Sequence, residues 1–188
     1  MKGCEYAFED IGFYPPEDFT AYAKNHVILG YLSPTDYHRF HAPMSGKCIY
    51  CKMEDADRQS ASVKFFGGSF NILNKNKRLI IVLEEKNDNG FKTKKDHSVK
   101  RIALVIIGGV GVNTIVYKQA IVGEWIEKGS ELGTFKAGGS AFCLFSNHPL
   151  KLDPKLQDGN RIRMEQHVGE ESRPMEVIYG ESLAGFAP

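Results

Sequence analysis

The chain has 188 residues, of which 42% are hydrophobic and 25% are charged, and its formal net charge is +1. A chain of this length can bury a substantial core, and we expect residues 1–188 to form a single domain. The near-neutral charge gives no case for nucleic-acid binding. The longest apolar run, residues 102–112, is shorter than the about 20 residues that a membrane-spanning helix needs. Four cysteines without a secretory signal pattern predict reduced thiols.

The hydrophobic pattern predicts many short strands and few short helices. Residues 15–23 predict a helix, because prolines and acidic residues suit its first turn. Short apolar runs bounded by glycine, proline or charge are typical of strands. Such runs predict strands at 26–32, 44–53, 78–84, 101–107, 110–117, 120–126 and 141–145, an edge strand at 175–179, a loop at 86–100 and a turn at 127–133. Strands and helices do not alternate, so we predict a mainly β (α+β) domain with antiparallel strands.

A serine preceded by two glycines, Ser140, is a candidate for chemistry on its own backbone. Its hydroxyl can attack the carbonyl carbon of Gly139 if the backbone distorts locally, and glycine has no Cβ to obstruct this. The attack converts the amide into an ester, and elimination followed by hydrolysis leaves a pyruvoyl group at position 140. The reaction needs a base for the hydroxyl and donors for the oxyanion. A plain β-turn is the alternative interpretation of the tripeptide.

Two histidines, His38 and His41, lie between two prolines in a segment that predicts a structured loop. Imidazole is the usual base near neutral pH, so the pair can supply a base and a proton donor. A polar surface loop is the alternative. A second alternative is a zinc site formed with Cys48 and Cys51, which have the spacing of a zinc-ligand pair. Because positions 48 and 51 of a regular strand face opposite ways, we predict no metal site.

Taken in chain order, these segments resemble the phosphatidylserine decarboxylase family. Residues 32–43 (LSPTDYHRFHAP) are similar to its histidine motif, and residues 128–135 (KGSELGTF) lead into the Gly-Gly-Ser site as they do in that family. The resemblance spans nearly the whole chain. It also includes residues 1–11, 69–85 with Asn-Lys-Arg at 76–78, 106–109, 112–115 and 180–184. The turn at 128–133 is similar to the hairpin of lipoyl-type barrel-sandwich hybrids, which implies a core of that kind.

The resemblance implies a self-processing enzyme with a covalent pyruvoyl cofactor made from Ser140. Cleavage between Gly139 and Ser140 would yield a β chain of residues 1–139 and an α chain of residues 140–188. His41 matches the position of the base for Ser140 during maturation. His38 matches the position implicated in decarboxylation, as proton donor to the product carbanion. The pyruvoyl ketone would form a Schiff base with the substrate amine and draw off the electrons of the breaking bond.

The chain departs from the family pattern at two places. The family places an aspartate of its maturation triad in an Ala-Asp-Gly strand before the first matched segment, and this chain begins at Met1. Asp36 is the acid nearest to His41 in sequence. The residue after the serine, usually Thr or Ser, is Ala141, which lacks a hydroxyl.

The implied reaction is conversion of phosphatidylserine to phosphatidylethanolamine and CO2. Decarboxylation of a soluble aromatic amino acid such as tryptophan is the alternative within the family. The non-catalytic alternative is an unprocessed homologue that acts as a binding module. The expected partner is a small amine-bearing substrate, either a lipid or an amino acid. Peripheral membrane contact and a homodimer remain open, as does a cytoplasmic or a membrane-peripheral location.

Overall fold

All regular secondary structure in the described residues is β-strand, apart from Tyr22, which is helical. The computed structural model describes residues 22, 27–32, 35–54, 76–86, 99–108, 115–118, 121–136, 140–152, 167–171 and 173–176. Its strands are β1 (Val27–Leu32), β2 (Arg39–His41), β3 (Gly46–Glu54), β4 (Arg78–Glu84), β5 (Arg101–Ile107), β6 (Ile115–Tyr117), β7 (Trp125–Ile126), β8 (Glu131–Phe135), β9 (Ser140–Ser146), β10 (Lys151–Leu152), β11 (His167–Glu171) and β12 (Arg173–Glu176).

The strands form one large antiparallel sheet and two small ones. The large sheet has the order β1-β9-β5-β4-β3-β7, so most strands that lie side by side in it are not consecutive in the chain. The small sheets have the orders β2-β8-β6 and β10-β11-β12. Strands β4, β5 and β9 lie in the middle of the large sheet, and all their residues are buried. A strand buried on both faces reads as a continuous apolar run, which explains the sequence of these three.

The core lies on both faces of the large sheet. Along β4, Leu79 and Ile81 belong to one buried cluster and Ile80 to the other, as the period of two in a strand requires. The first cluster also includes Phe40 and Phe135, from strands β2 and β8. The small sheet β2-β8-β6 therefore packs on this first face. On the opposite face the second cluster includes the helical Tyr22, Phe145 of β9 and the alternate residues of β4 and β5.

The predicted mainly β, antiparallel fold is confirmed. Strands β4 and β5 begin and end where the sequence predicts, and β1, β3 and β9 differ from their predicted bounds by a residue or two. Strands β6 and β12 overlap the predictions at 110–117 and 175–179. The predicted helix lies outside the described residues except for Tyr22, as does most of the predicted loop at 86–100. In the described part of the chain, no helix has the length and apolarity to cross a membrane.

Three local predictions are wrong. The histidine segment is not a loop at its end, because Arg39–His41 pairs with β8 as strand β2. The predicted turn at 127–133 is shorter, because strand β8 begins at Glu131. The strand predicted at 120–126 is confined to Trp125–Ile126, since a turn precedes it in which Gly123 has a φ of 95°. Each error concerns a short strand whose residues pair with a distant part of the chain.

The two cysteines of β3 do not face opposite ways as the sequence predicts. Buried Cys48 belongs to the first core cluster, and half-buried Cys51 packs against that same cluster. The register of β3 against β4 shifts between Cys48 and Tyr50, and a bulge of this kind adds one residue and reverses the alternation. The prediction failed because a bulge leaves no mark in the hydrophobic pattern.

Candidate active site

Ser140 is the first residue of β9 and lies at the end of the large sheet. It pairs with Leu32, the last residue of β1, and the next residue, Ala141, pairs with Ile107 at the end of β5. Phe142 of the same strand belongs to the cluster under the small sheet. Because side chains alternate along a strand, Ser140 lies on that same face. Its partner in the predicted cleavage, Gly139, lies outside the described residues.

The Ser140 hydroxyl is buried without a hydrogen bond. The residue has no exposed surface, and Oγ contacts no donor or acceptor among the residues that the structure describes. Leaving a buried polar group unpaired costs about 1–3 kcal/mol. Such groups in a native structure call for an explanation, and a reactive role is one of the recognised explanations. The burial and isolation of this hydroxyl are therefore consistent with a nucleophile.

The end of β5 beside Ser140 is held by Asn76. Asn76 Nδ2 donates to the carbonyl oxygen of Gly108 at 2.7 Å, and Gly108 N donates to Lys77 O at 2.9 Å. Asn76 is fully buried. These bonds fix the backbone one residue beyond Ile107, next to the start of β9. Sequence reasoning assigned no role to Asn76, although the residue belongs to the Asn-Lys-Arg segment that carries part of the family resemblance.

The two histidines lie at opposite ends of the pairing between β2 and β8. The carbonyl oxygen of His38 accepts hydrogen bonds from Phe135 N at 2.8 Å and from Thr134 Oγ1 at 2.9 Å. His41 pairs with Glu131, at the other end of β8. Since β8 leads through residues 136–139 to Ser140, His38 lies at the end of β8 that is nearer in sequence to the serine.

The His38 imidazole has a defined tautomer and an available nitrogen. Its Nδ1 is 2.5 Å from the carbonyl oxygen of Asp36. A carbonyl can only accept, so Nδ1 carries the hydrogen and Nε2 of the neutral ring carries the lone pair. Nε2 is buried and makes no hydrogen bond within the described part of the chain. The ring lies edge-on to Phe135, with centroids 6.3 Å apart. His38 can therefore take up or release a proton at Nε2 in a site shielded from water.

The His41 imidazole is hydrogen-bonded at both nitrogens. Nδ1 is 2.9 Å from the carbonyl oxygen of Gly129, and Nε2 is 2.9 Å from the Tyr37 hydroxyl. The rings of Tyr37 and His41 stack with centroids 5.8 Å apart and planes 17° from parallel. The Gly129 carbonyl requires the hydrogen on Nδ1, so in the neutral ring Tyr37 donates to the lone pair of Nε2. Sequence reasoning found His41 but missed both of its partners.

The alternative zinc site would use two histidines and two cysteines. No group of three or more His, Cys, Asp or Glu side chains is arranged to hold a metal ion in the described ranges, which include His38, His41, Cys48 and Cys51. Cys48 Sγ donates to the carbonyl oxygen of Tyr50 at 3.3 Å. Burial raises the pKa of Cys48 from 9.0 to about 12 and that of Cys51 to about 11.

Comparison with known proteins gives consistent matches. The phosphatidylserine decarboxylase proenzyme of Bacillus subtilis (strain 168) is 27% identical over 173 residues, which cover 91% of this chain and 59% of the relative. The proenzyme of Geobacillus sp. (strain WCH70) is 31% identical over 171 residues, covering 90% and 60%. That of Alcanivorax borkumensis is 25% identical over 180 residues, covering 89% and 60%.

The matches extend along most of this chain but not along most of each relative. The chain spans 59% or 60% of the length of these three proteins. No solved structure gives a significant match. The family model described as phosphatidylserine decarboxylase matches residues 1–170, which include both histidines and Ser140. This chain belongs to the phosphatidylserine decarboxylase family.

Proposed function

We propose that the chain is a self-processing decarboxylase that converts phosphatidylserine to phosphatidylethanolamine and CO2. Cleavage between Gly139 and Ser140 yields fragments 1–139 and 140–188, the second of which begins with a pyruvoyl group. The observation that best supports this function is the Ser140 hydroxyl, which is fully buried without a hydrogen-bond partner in the described structure. It lies on the sheet face that packs against the small sheet, whose strand β2 contains His41 and directly follows His38.

Maturation uses the serine as nucleophile and a histidine as base. Ser140 Oγ attacks the carbonyl carbon of Gly139, His41 Nε2 takes the hydroxyl proton, and the Ser140 nitrogen receives a proton as the amide becomes an ester. Elimination then releases Gly139 as a carboxylate and leaves a dehydroalanine. Addition of water and loss of ammonia produce the pyruvoyl group. Ser140 suits this role because nothing in the described structure holds its hydroxyl in another hydrogen bond.

The mature site combines the cofactor with His38. A pyruvoyl group at position 140 supplies an electron-accepting carbonyl for an amine-bearing substrate that loses CO2. His38 Nε2 can hold a proton and deliver it to the substrate carbon, because the nitrogen is buried and its lone pair is not engaged by another described residue. The hydrogen bond from Nδ1 to Asp36 O orients the ring. Phe135, which is buried and contacts the ring edge, limits access of water.

Replacing the serine tests the processing reaction. We expect the wild-type chain to give two fragments, with the 140–188 fragment resistant to Edman sequencing because it lacks an amino group. Ser140→Ala should remain one intact chain with no decarboxylation, as measured by intact-mass spectrometry and release of labelled CO2. Ser146→Ala is the matched control, because Ser146 is a buried serine at the other end of β9. A wild-type chain that stays intact would contradict the proposal.

Replacing each histidine separates the two stages. We expect His41→Ala to slow self-cleavage by about 100-fold or more, since general-base catalysis contributes about 10²–10⁴-fold. His38→Ala should be processed but lose decarboxylation. Rates of fragment formation and of CO2 release from phosphatidylserine vesicles measure the two effects. Release of CO2 from free tryptophan but not from the vesicles would instead support the soluble amino-acid substrate.

A further inference from the structure

The basic nitrogen of His41 is engaged by a residue other than the proposed nucleophile. Because the Gly129 carbonyl accepts the Nδ1 hydrogen, Nε2 is the only nitrogen of the neutral ring that can take a proton. The Tyr37 hydroxyl lies 2.9 Å from Nε2 and donates to its lone pair. In the same structure Ser140 Oγ makes no hydrogen bond to any described residue. Base and nucleophile are thus not hydrogen-bonded to each other.

The two hydrogen bonds of His41 differ in how firmly the protein holds them. The Gly129 carbonyl belongs to a turn whose backbone is tied to the end of β2. Gly129 N donates to Ala42 O, and Ala42 N donates to Ser130 O, each at 2.9 Å. A φ of 82° at Gly129 suits glycine, so the turn has a defined shape. Tyr37 instead lies in the segment between β1 and β2, outside the strands, and its side chain is only partly buried.

We propose that Tyr37 is a positioning residue that competes with Ser140 for Nε2 of His41 and so holds the precursor in a resting state. Self-cleavage begins when the Tyr37 hydroxyl leaves Nε2 and the Ser140 hydroxyl replaces it. The Gly129 carbonyl keeps the hydrogen on Nδ1 throughout, so Nε2 remains the basic nitrogen and no tautomer change is needed. This inference rests on the proposed function, because it requires Ser140 to be the nucleophile and His41 to be its base.

Removing the Tyr37 hydroxyl should therefore accelerate maturation. Tyr37→Phe keeps the ring that stacks on His41 and deletes only the competing donor. A hydrogen bond contributes about 0.5–1.5 kcal/mol net, so we expect cleavage to become about fivefold faster. The measurement is a pulse-chase of the full chain, with fragment formation followed on a denaturing gel. An unchanged or slower rate in Tyr37→Phe would overturn the proposal.

Tyr50→Phe is the matched control for the rate measurement. Tyr50 lies on β3, is also partly buried, and packs against the second core cluster on the other face of the large sheet. It should lose its hydroxyl with no effect on the cleavage rate. Equal acceleration in both variants would show a general loosening of the fold and would overturn the role of Tyr37. Loss of cleavage in His38→Ala but not in His41→Ala would overturn it as well, because the base would then be His38.

A second measurement does not depend on cleavage. The Ser140→Ala chain with ¹⁵N-labelled histidine reports both imidazole nitrogens of His41 by nuclear magnetic resonance. We expect Nδ1 to carry the hydrogen and Nε2 to show an accepted hydrogen bond. Adding Tyr37→Phe should shift the Nε2 resonance, whereas Tyr50→Phe should leave it unchanged. An unshifted Nε2 resonance would overturn the role of Tyr37, whether or not the wild-type chain cleaves. A wild-type chain that never cleaves would instead refute the proposed function.

Discussion

Single residues determine whether the small sheet can pack over the face of the large sheet that contains Ser140. Gly133 lies in the middle of β8, where a Cβ would be 2.3 Å from the carbonyl oxygen of Val116 and 2.4 Å from the Phe40 ring. Real Cβ atoms do not approach other atoms so closely. The strand on one side and a buried aromatic ring on the other therefore require glycine here.

We expect Gly133→Ala to lower the free energy of unfolding by about 1–3 kcal/mol, the usual cost of overpacking a close-packed interior. Urea unfolding followed by circular dichroism measures the loss. Gly123→Ala is the comparison, because Gly123 has a φ of 95° but a Cβ added there would meet no atom within 4 Å. It should cost only the conformational strain, about 1 kcal/mol. An equal or smaller loss for Gly133→Ala would contradict the packing argument.

The candidate site residues illustrate how much of a site can be predicted from the sequence. Gly-Gly-Ser and the histidine pair can be recognised in the chain because their chemistry is a property of the residue types. The partners of His41 cannot be recognised in this way. One of them, Gly129, contributes only a backbone carbonyl, which every residue has, and it is 88 positions away in the chain. The other, Tyr37, is four positions away, but nothing in the sequence distinguishes a tyrosine that contacts the histidine from any other aromatic residue near a turn.

At the scale of elements, β4 and β5 are joined by a buried ion pair as well as by their backbones. Glu84 and Arg101 face each other across the two strands. Arg101 Nε donates to Glu84 Oε2 at 2.8 Å, and Arg101 Nη2 lies at the same distance from that oxygen as an ion-pair contact. Only 6% of the Glu84 side chain and 4% of the Arg101 side chain are exposed. Because both side chains are shielded from water, we expect breaking this ion pair to lower the free energy of unfolding.

Glu84→Leu should lower the free energy of unfolding by about 3–5 kcal/mol, because it leaves the Arg101 charge buried without its carboxylate partner. The double replacement Glu84→Leu/Arg101→Met should lose much less, since it removes both charges and keeps apolar volume. A double-mutant cycle in urea provides the measurement. If the double variant were as unstable as the single one, the uncompensated Arg101 charge would not be the cause of the loss.

The length and environment of a strand explain which elements the sequence predicts. Strands β4, β5 and β9 have seven residues each and are buried on both faces, so their sequences are apolar throughout. Strand β2 has three residues, and β7 has two. Such short segments have no periodicity, and they become strands only because β8 and β3 lie beside them. Their prediction requires knowledge of the partner.

At the scale of the whole molecule, three cysteines of the described structure are free thiols in an apolar interior. Cys48 and Cys143 are buried and Cys51 is half-buried. Burial raises the pKa of Cys48 and Cys143 from 9.0 to about 12 and that of Cys51 to about 11. Little thiolate is therefore present in the folded protein at neutral pH, and these thiols should react only after the fold opens.

We expect thiol reagents at pH 8 to modify Cys48, Cys51 and Cys143 far more slowly in the native chain than in urea. Because the pKa values in the folded chain lie above 9.0, the unfolded chain loses these protons first as the pH rises. The contribution of these protonated thiols to the free energy of unfolding is therefore complete below about pH 9. It is lost as the pH rises towards 11 to 12. Reaction kinetics in a Cys4→Ser background and urea unfolding between pH 8 and 11 measure both effects. Rapid native labelling would contradict the burial of the thiols.

The sequence by itself determined the mainly β class, the central strands of the large sheet, and the residues capable of chemistry. These properties depend on composition and on neighbours along the chain, which are visible in a single sequence. The tertiary structure decided the sheet order β1-β9-β5-β4-β3-β7, the isolation of the Ser140 hydroxyl and the engagement of His41 by Tyr37 and Gly129. Long-range backbone pairing creates the sheet order and brings Gly129 to His41, because it joins residues whose separation in the chain carries no record of their contact. The contact of His41 with Tyr37 is local, and it depends on the folded shape of the segment that precedes β2.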